Sequence, residues 1–123
     1  MTIEMYSETI LHYYENPPNK KRIAKANYSA KLANPLCGDD VTVFLKTNSK
    51  GVVEEASFEG QGCAISQAST SMLLEKLEGK SVLQAKKTSE KEVLKALGVS
   101  VSPARLKCAL LGLEAVKKAL KKA

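Results

Sequence analysis

Apolar and aromatic positions open the chain at near-helical intervals: Tyr6, Ile10, Tyr13 and Tyr14 fall within residues 3–14. Asn16-Pro17-Pro18-Asn19 stops that pattern, because a residue before proline is pushed out of the α region. A short N-terminal helix is therefore predicted. Lys20, Lys21, Arg22 and Lys25 make a basic linker, after which residues 27–32 read as a short strand. Val41, Val43 and Leu45 then alternate with Thr42, Phe44 and Lys46. Beyond the turn Asn48-Ser49-Lys50-Gly51, residues 52–58 alternate again, with Val52, Glu54, Ala56 and Phe58 on one face. Two alternating runs joined by a short turn predict an antiparallel hairpin.

After Gly60-Gln61-Gly62 the period changes. From Cys63 onward, Ile65, Ala68, Met72 and Leu77 are spaced as one helical stripe, and Gly79 ends it. Ser89, with Glu92 three residues on, has the form of a capping box for a short helix that runs through Leu97 and stops at Gly98. Ser102-Pro103 starts the longest helix, serine as cap and proline at the first helical position. Its buried stripe is predicted to be Leu106, Ala109, Leu110, Leu113, Val116 and Leu120. A helix, then strands, then consecutive helices predict an α+β fold: a small antiparallel sheet of about three strands with helices packed on one face. There is no internal repeat or low-complexity segment, and residues 1–123 are expected to form one domain.

The composition fits that picture, with 44% hydrophobic and 26% charged residues among 123. No run of about 18 apolar residues exists to span a bilayer, and the N-terminal MTIEMYSETI lacks the layout of a signal peptide. A cytoplasmic protein without membrane association is expected. The formal charge of +6 is unevenly placed. Residues 1–85 hold nine basic and ten acidic side chains, whereas residues 86–123 hold ten basic and three acidic. With 5% aromatic residues and no RNA-binding motif, this basic third reads as a docking surface or a solvated helix, not a nucleic-acid footprint.

Three cysteines are an odd number for a disulfide framework, and the cytosol keeps thiols reduced. Each falls where an element begins. Cys37 lies in the loop before the hairpin, Cys63 follows the Gly-x-Gly turn at a helix N-terminus, and Cys108 is near the start of the last helix. At a helix N-terminus, unpaired amides and the positive end of the dipole favour an anionic sulfur. Cys108 shares its side of the helix with Leu111, Gly112, Ala115 and Ala119, and the small residues among them let another element come close. Three thiolates need one more donor to complete a tetrahedral set, and Asp39, across a glycine from Cys37, is the nearest carboxylate. Without repeated C-x-x-C pairs, spacing leaves two readings open: a shared metal site, or three unrelated buried thiols.

The wording around the cysteines carries a resemblance. Asn34-Pro-Leu-Cys37-Gly-Asp39, Phe58-Glu-Gly-Gln-Gly-Cys63-Ala-Ile-Ser-Gln-Ala-Ser-Thr-Ser-Met72 and Pro103-Ala-Arg-Leu-Lys-Cys108-Ala-Leu-Leu closely resemble the U-type iron–sulfur cluster assembly proteins: IscU, SufU and the NifU N-terminal domain. Ile10-Leu-His-Tyr-Tyr-Glu-Asn-Pro17 is similar to that family's opening helix. The resemblance implies a SufE/NifU-like scaffold in which Cys37, Asp39, Cys63 and Cys108 match the ligand positions. It implies a cysteine desulfurase as sulfur donor, apo iron–sulfur proteins as clients, a cluster carrier as a further partner, and a monomer or weak homodimer. Two functions follow. In one, a scaffold assembles a transient [2Fe–2S] cluster from iron and sulfur and hands it on. In the other, a zinc-dependent sulfur acceptor serves the desulfurase. Cys108 is the implied sulfur acceptor in the scaffold branch and Cys37 in the SufU branch.

Two features depart from a single branch. Lys107 stands where the scaffold branch has a histidine before the last cysteine, and the motif wording is nearer SufU. The short connection from Cys63 to Cys108 is instead that of the scaffold branch. An ammonium at Lys107 would stabilise a neighbouring thiolate but is a poor metal ligand. It also heads a helical stripe with Glu114, Lys118 and Lys121, which reads equally as a solvated face. The chaperone-recognition motif of the scaffold branch is absent, with Val101-Ser102-Pro103-Ala104-Arg105 in its place. His12, the one histidine, belongs to no matching motif and is expected to be a packed or surface residue.

Overall fold

The computed structural model describes residues 8–35 and 38–121. In chain order the elements are α1 (Glu8–Glu15), β1 (Tyr28–Asn34), β2 (Asp39–Thr47), β3 (Val53–Gln61), α2 (Ala64–Leu77), α3 (Val82–Lys86), α4 (Glu90–Leu97) and α5 (Pro103–Leu120). The predicted start of the first helix, residues 3–7, lies outside the described residues. The strands form one antiparallel sheet in the order β1-β2-β3.

The alternation in β2 decides which face is covered. Val41, Val43 and Leu45 are fully buried, and Val43 stands opposite Ala30 of β1 and Phe58 of β3. Helix α5 packs against β1 and β2, and α2 against β3. On the other face Phe44 stands opposite Ser57, and both are buried. The Arg22 guanidinium lies 5.6 Å from the Phe44 ring centroid, a cation–π contact.

The predicted face of β3 is only half right. A bulge between Lys46 and Thr47 pairs Lys46 with Glu55 but Thr47 with Val53, leaving Glu54 as an extra residue. The alternation therefore slips there. Ala56 and Phe58 remain buried, but Val53 takes the inward place expected of Val52, and Glu54 is exposed.

Helix α2 is central. Every residue from Ala64 to Leu74, and Leu77, is buried, so the predicted single stripe is one side of a helix enclosed by β3, α1, α4 and α5. Its small polar residues are buried because they find partners. Ser69 Oγ donates to Ala109 O at 2.6 Å, and Thr70 Oγ1 to Ser66 O at 2.8 Å. A Cβ on Gly112 of α5 would overlap the Thr70 side chain, so glycine there sets how closely the two helices approach.

Residues 19–22, the end of the helix stop and the start of the basic linker in the sequence, cover part of the edge of β3. Asn19 O accepts the Phe58 N–H at 3.0 Å. The Asn19 side chain donates to Ser71 O at 2.9 Å and accepts from Ser71 Oγ at 2.7 Å, joining that edge to α2. Lys21 and Glu55 form an ion pair at 2.7 Å, which raises the lysine pKa and lowers that of the carboxyl.

The caps follow the sequence in part. Ser89 Oγ accepts the Glu92 N–H at 3.2 Å, and Gly98 ends α4 with φ 70°. Ser102 stands at the N-cap of α5 with Pro103 after it, but its side chain makes no capping bond. Helix α5 buries Leu111, Ala115 and Ala119 in addition to its predicted positions, while Leu106 and Leu110 are half-buried. Packing between the sheet and α2 widens the covered face beyond one stripe. Helix α3 was not predicted; a reciprocal capping box between Ser81 and Gln84 forms it.

Candidate metal centre

Three elements end or begin at one point. The register of β1 and β2 sets Asn34 opposite Asp39, and Gly38 N donates to Asn34 O at 3.0 Å with φ +71°. This tight connection fixes Asp39 as the first residue of β2, only 2% exposed. Its carboxylate is held by the residue that starts the next helix. Cys63 N donates to Asp39 Oδ1 at 2.9 Å, and Cys63 Sγ lies 3.7 Å from Oδ2.

Gly62 makes that approach feasible. It has φ +148°, and a Cβ there would overlap the Asp39 carboxylate. Cys63 occupies the N-cap of α2, yet its side chain makes no capping bond. Its carbonyl accepts instead from Gln67 N at 3.2 Å and Ser66 Oγ at 3.1 Å. The half-buried sulfur is thereby left to face Asp39.

Cys108 comes from α5 and is fully buried. Its flanks pack in an apolar cluster with Ile10, Ile65, Ala68 and Met72. Asn34 Nδ2 donates to Cys108 Sγ at 3.8 Å. Donor atoms of Asp39, Cys63 and Cys108 all lie within 4.8 Å of one another.

Of the four ligand positions expected from the sequence, the structure brings together these three; Cys37 lies outside the described residues. Lys107 is exposed, whereas Cys108 is enclosed, as befits neighbours turned about 100° apart on a helix. His12 is exposed and packs edge-on to Tyr13 with ring centroids 5.9 Å apart. Asn34 was missed as a site residue. Its signal was its place in the motif, one strand pair from Asp39, but an amide is not a usual ligand type.

The donors fit a metal ion. Tetrahedral thiolate coordination at a metal–sulfur distance of about 2.3 Å sets ligand atoms about 3.8 Å apart. The Asp39 Oδ2 to Cys63 Sγ separation is already 3.7 Å, and the three-way limit of 4.8 Å calls for closure of about 1 Å. Two sulfurs with one carboxylate oxygen suit zinc or iron better than calcium or magnesium.

A sequence model of the NifU-like N terminal domain matches residues 5–123. The chain belongs to that family. This NifU-like domain is 37% identical to the iron–sulfur cluster assembly scaffold protein IscU of Thermotoga maritima, over 96% of this chain and 94% of that protein. It is 36% identical to the zinc-dependent sulfurtransferase SufU of Bacillus subtilis, over 96% of this chain and 90% of that one. Among solved structures, the NifU-like domain is similar to a putative iron–sulfur cluster assembly scaffold protein for the SUF system from Fervidobacterium islandicum. That likeness has TM-score 0.82 and 30% identity, covering 94% of this chain and 96% of the other. A NifU-like N-terminal protein from Brucella abortus superposes with TM-score 0.76 at 26% identity, covering 97% and 94%. The three-stranded antiparallel sheet with helices at both ends of the NifU-like domain is the α+β architecture expected from its sequence.

Proposed function

We propose that this NifU-like domain is a scaffold on which a [2Fe–2S] cluster is assembled from iron and desulfurase-derived sulfur, then transferred to apo-proteins. The observation that carries this reading is the convergence of Asp39, Cys63 and Cys108 donor atoms within 4.8 Å. Cys37, two residues before Asp39, supplies the fourth ligand in this reading. Four protein ligands give two to each iron of a [2Fe–2S] unit. The cluster is cargo, so the exchangeable carboxylate of Asp39 serves a site that must release it.

Sulfur enters by thiolate attack on the outer sulfur of a desulfurase persulfide. The sulfur–sulfur bond breaks, the desulfurase thiolate leaves, and a persulfide remains on Cys37 or Cys108. Each transferred sulfur then takes two electrons from an external thiol or ferredoxin to become sulfide. Because Cys108 is fully buried, acceptance there requires the packing around its sulfur to open. Exposed Lys117 and Lys118 on α5, with Lys121 at its C-cap, offer an acidic partner a docking surface, and Lys107 near the start of the helix adds a further exposed ammonium.

A second reading, zinc-dependent sulfur acceptance, is supported by the close approach of Cys63 Sγ to Asp39 Oδ2 and by the likeness to SufU. Zinc held by Cys37, Asp39, Cys63 and Cys108 would keep the thiols deprotonated. No helix among the described residues is long and apolar enough to cross a membrane. We place this function in the cytoplasm, which keeps such thiols reduced.

Anaerobic reconstitution separates the readings. Ferrous iron, cysteine, a desulfurase and a thiol reductant should give a visible-absorbing cluster that passes to an apo-ferredoxin. If no cluster forms while zinc-loaded protein still stimulates the desulfurase, the scaffold reading fails and the sulfur-acceptor reading stands.

A further inference from the structure

Between α2 and α4 lies a cleft of about 430 Å³. We propose that this cleft binds a small anionic amphiphile, its apolar body on Met72, Leu73 and Val93 and its acidic head among Lys76, Lys80 and Lys95. The volume falls in the roughly 300–1,000 Å³ range of small-molecule sites. Met72, Leu73 and Val93 are only 5%, 6% and 4% exposed, so the floor of this partly open cleft is made by the outer faces of packed apolar side chains.

The rim differs from the floor in chemistry. Lys76 and Lys95 are exposed and Lys80 is half-buried, and Glu92 is the acid that lines the cleft with them. Ion pairs among the described residues join Lys21 to Glu55 and Arg22 to Glu59, so the three rim ammoniums are not neutralised by a carboxylate within 4.0 Å. The local balance is three cations against one anion. Inside, Ser69 Oγ donates its proton to Ala109 O rather than into the cleft, and Thr88, 5% exposed, is the other hydroxyl of the lining. Charge selectivity therefore comes from the rim: an anionic head gains from the ammoniums while the body leaves water. A neutral ligand gains only the second effect, and a cationic one is repelled.

The cleft holds none of the metal-site donors, although Met72 of its floor packs in the same apolar cluster as Cys108. Ser69 is the lining residue of α2 nearest to Cys63, six residues and about 9 Å along the helix.

The test is an amide NMR titration of the full chain with octanoate, beside octan-1-ol and octylamine as probes of equal body and different head charge. Octanoate should shift the Met72, Leu73, Val93 and Ala96 amides and bind at least about tenfold tighter than octan-1-ol. Lys76→Glu with Lys95→Glu, and the milder Lys76→Gln with Lys95→Gln, should weaken octanoate by about tenfold and less, respectively, with circular dichroism unchanged. Equal binding of octanoate and octan-1-ol, shifts confined to other surfaces, or affinity indifferent to charge reversal would overturn the proposal. So would an acidic peptide that shifts these amides while octanoate does not.

Discussion

Asp39 and Cys63 are bound twice: one carboxylate oxygen accepts the Cys63 N–H at 2.9 Å, and the other lies 3.7 Å from the Cys63 sulfur. One residue thus orders the start of α2 and contributes to the donor set. The two roles are separable by substitution. Asp39→Asn retains an oxygen for the N–H but loses the anionic donor. Asp39→Ala also leaves the half-buried Cys63 N–H without its partner, costing about 1 kcal/mol. Urea unfolding of the apo-protein should show the alanine variant destabilised by that amount and the asparagine variant by less, whereas zinc competition should show both weakened. Equal stability of the wild type and Asp39→Ala would remove the structural role.

Gly62→Ala acts on the same pair from outside the donor set. Its Cβ would overlap the Asp39 carboxylate at a φ of +148°, so the carboxylate or the turn must move. Strain of this kind costs about 1–3 kcal/mol. Thermal unfolding with a chelator present should show the loss without metal, and zinc affinity should fall as well because Asp39 is displaced.

Asn34 reaches Cys108 from the strand opposite Asp39, donating Nδ2–H to sulfur at 3.8 Å. Outer partners of this kind hold a ligand's orientation, and their loss commonly lowers metal affinity about 10–100-fold. Asn34→Ala should therefore weaken zinc in a chelator competition, and Asn34→Gln should recover little because its longer chain moves the amide. Unchanged affinity in both variants would make the contact incidental.

How far the sequence reaches is clearest at these residues. Alternation reports one packed face, so Val41, Val43 and Leu45 were readable in β2, whose two neighbours share that face. The same rule under-reads α2, which has neighbours all round and buries Ser66, Ser69 and Thr70 by giving their hydroxyls protein partners. It also misplaced Val53, because a bulge shifts alternation by one residue without altering composition. Helix α3 is not legible in the sequence, because five residues are too few to show a period. Spacing left the thiols open between one site and three separate ones. The motif wording named the donors, and the geometry of Asp39, Cys63 and Cys108 supplied their proximity.

Gly112 gives a test of the α2–α5 contact free of the donor atoms. Gly112→Ala should destabilise the protein by about 1–3 kcal/mol through overpacking against Thr70, although alanine is the better helix former by roughly 1 kcal/mol. Thr70→Ala removes Oγ1, the nearest atom, and should recover part of the loss in a double-mutant cycle. Additive losses in that cycle would show that the two positions do not meet.

Tyr13 ties α1 to α2 by donating its hydroxyl to Glu75 Oε1 at 2.6 Å. The hydrogen bond, followed by burial and the carboxylate's charge, raises the tyrosine pKa above its usual value. The unfolded chain therefore loses this proton at lower pH than the folded one. The tether's contribution is complete below the ordinary tyrosine pKa near 10 and disappears as pH rises through the higher folded value. Deprotonation would also set phenolate against carboxylate, adding repulsion where there was a bond. Amide exchange at His12 and Tyr14, in the part of α1 that has helical acceptors, should accelerate above about pH 10 relative to the intrinsic rate, in step with the ultraviolet titration of Tyr13. Tyr13→Phe should abolish that step and leave α1 less protected at neutral pH. If the phenylalanine variant shows the same alkaline step, some other group controls the docking of α1.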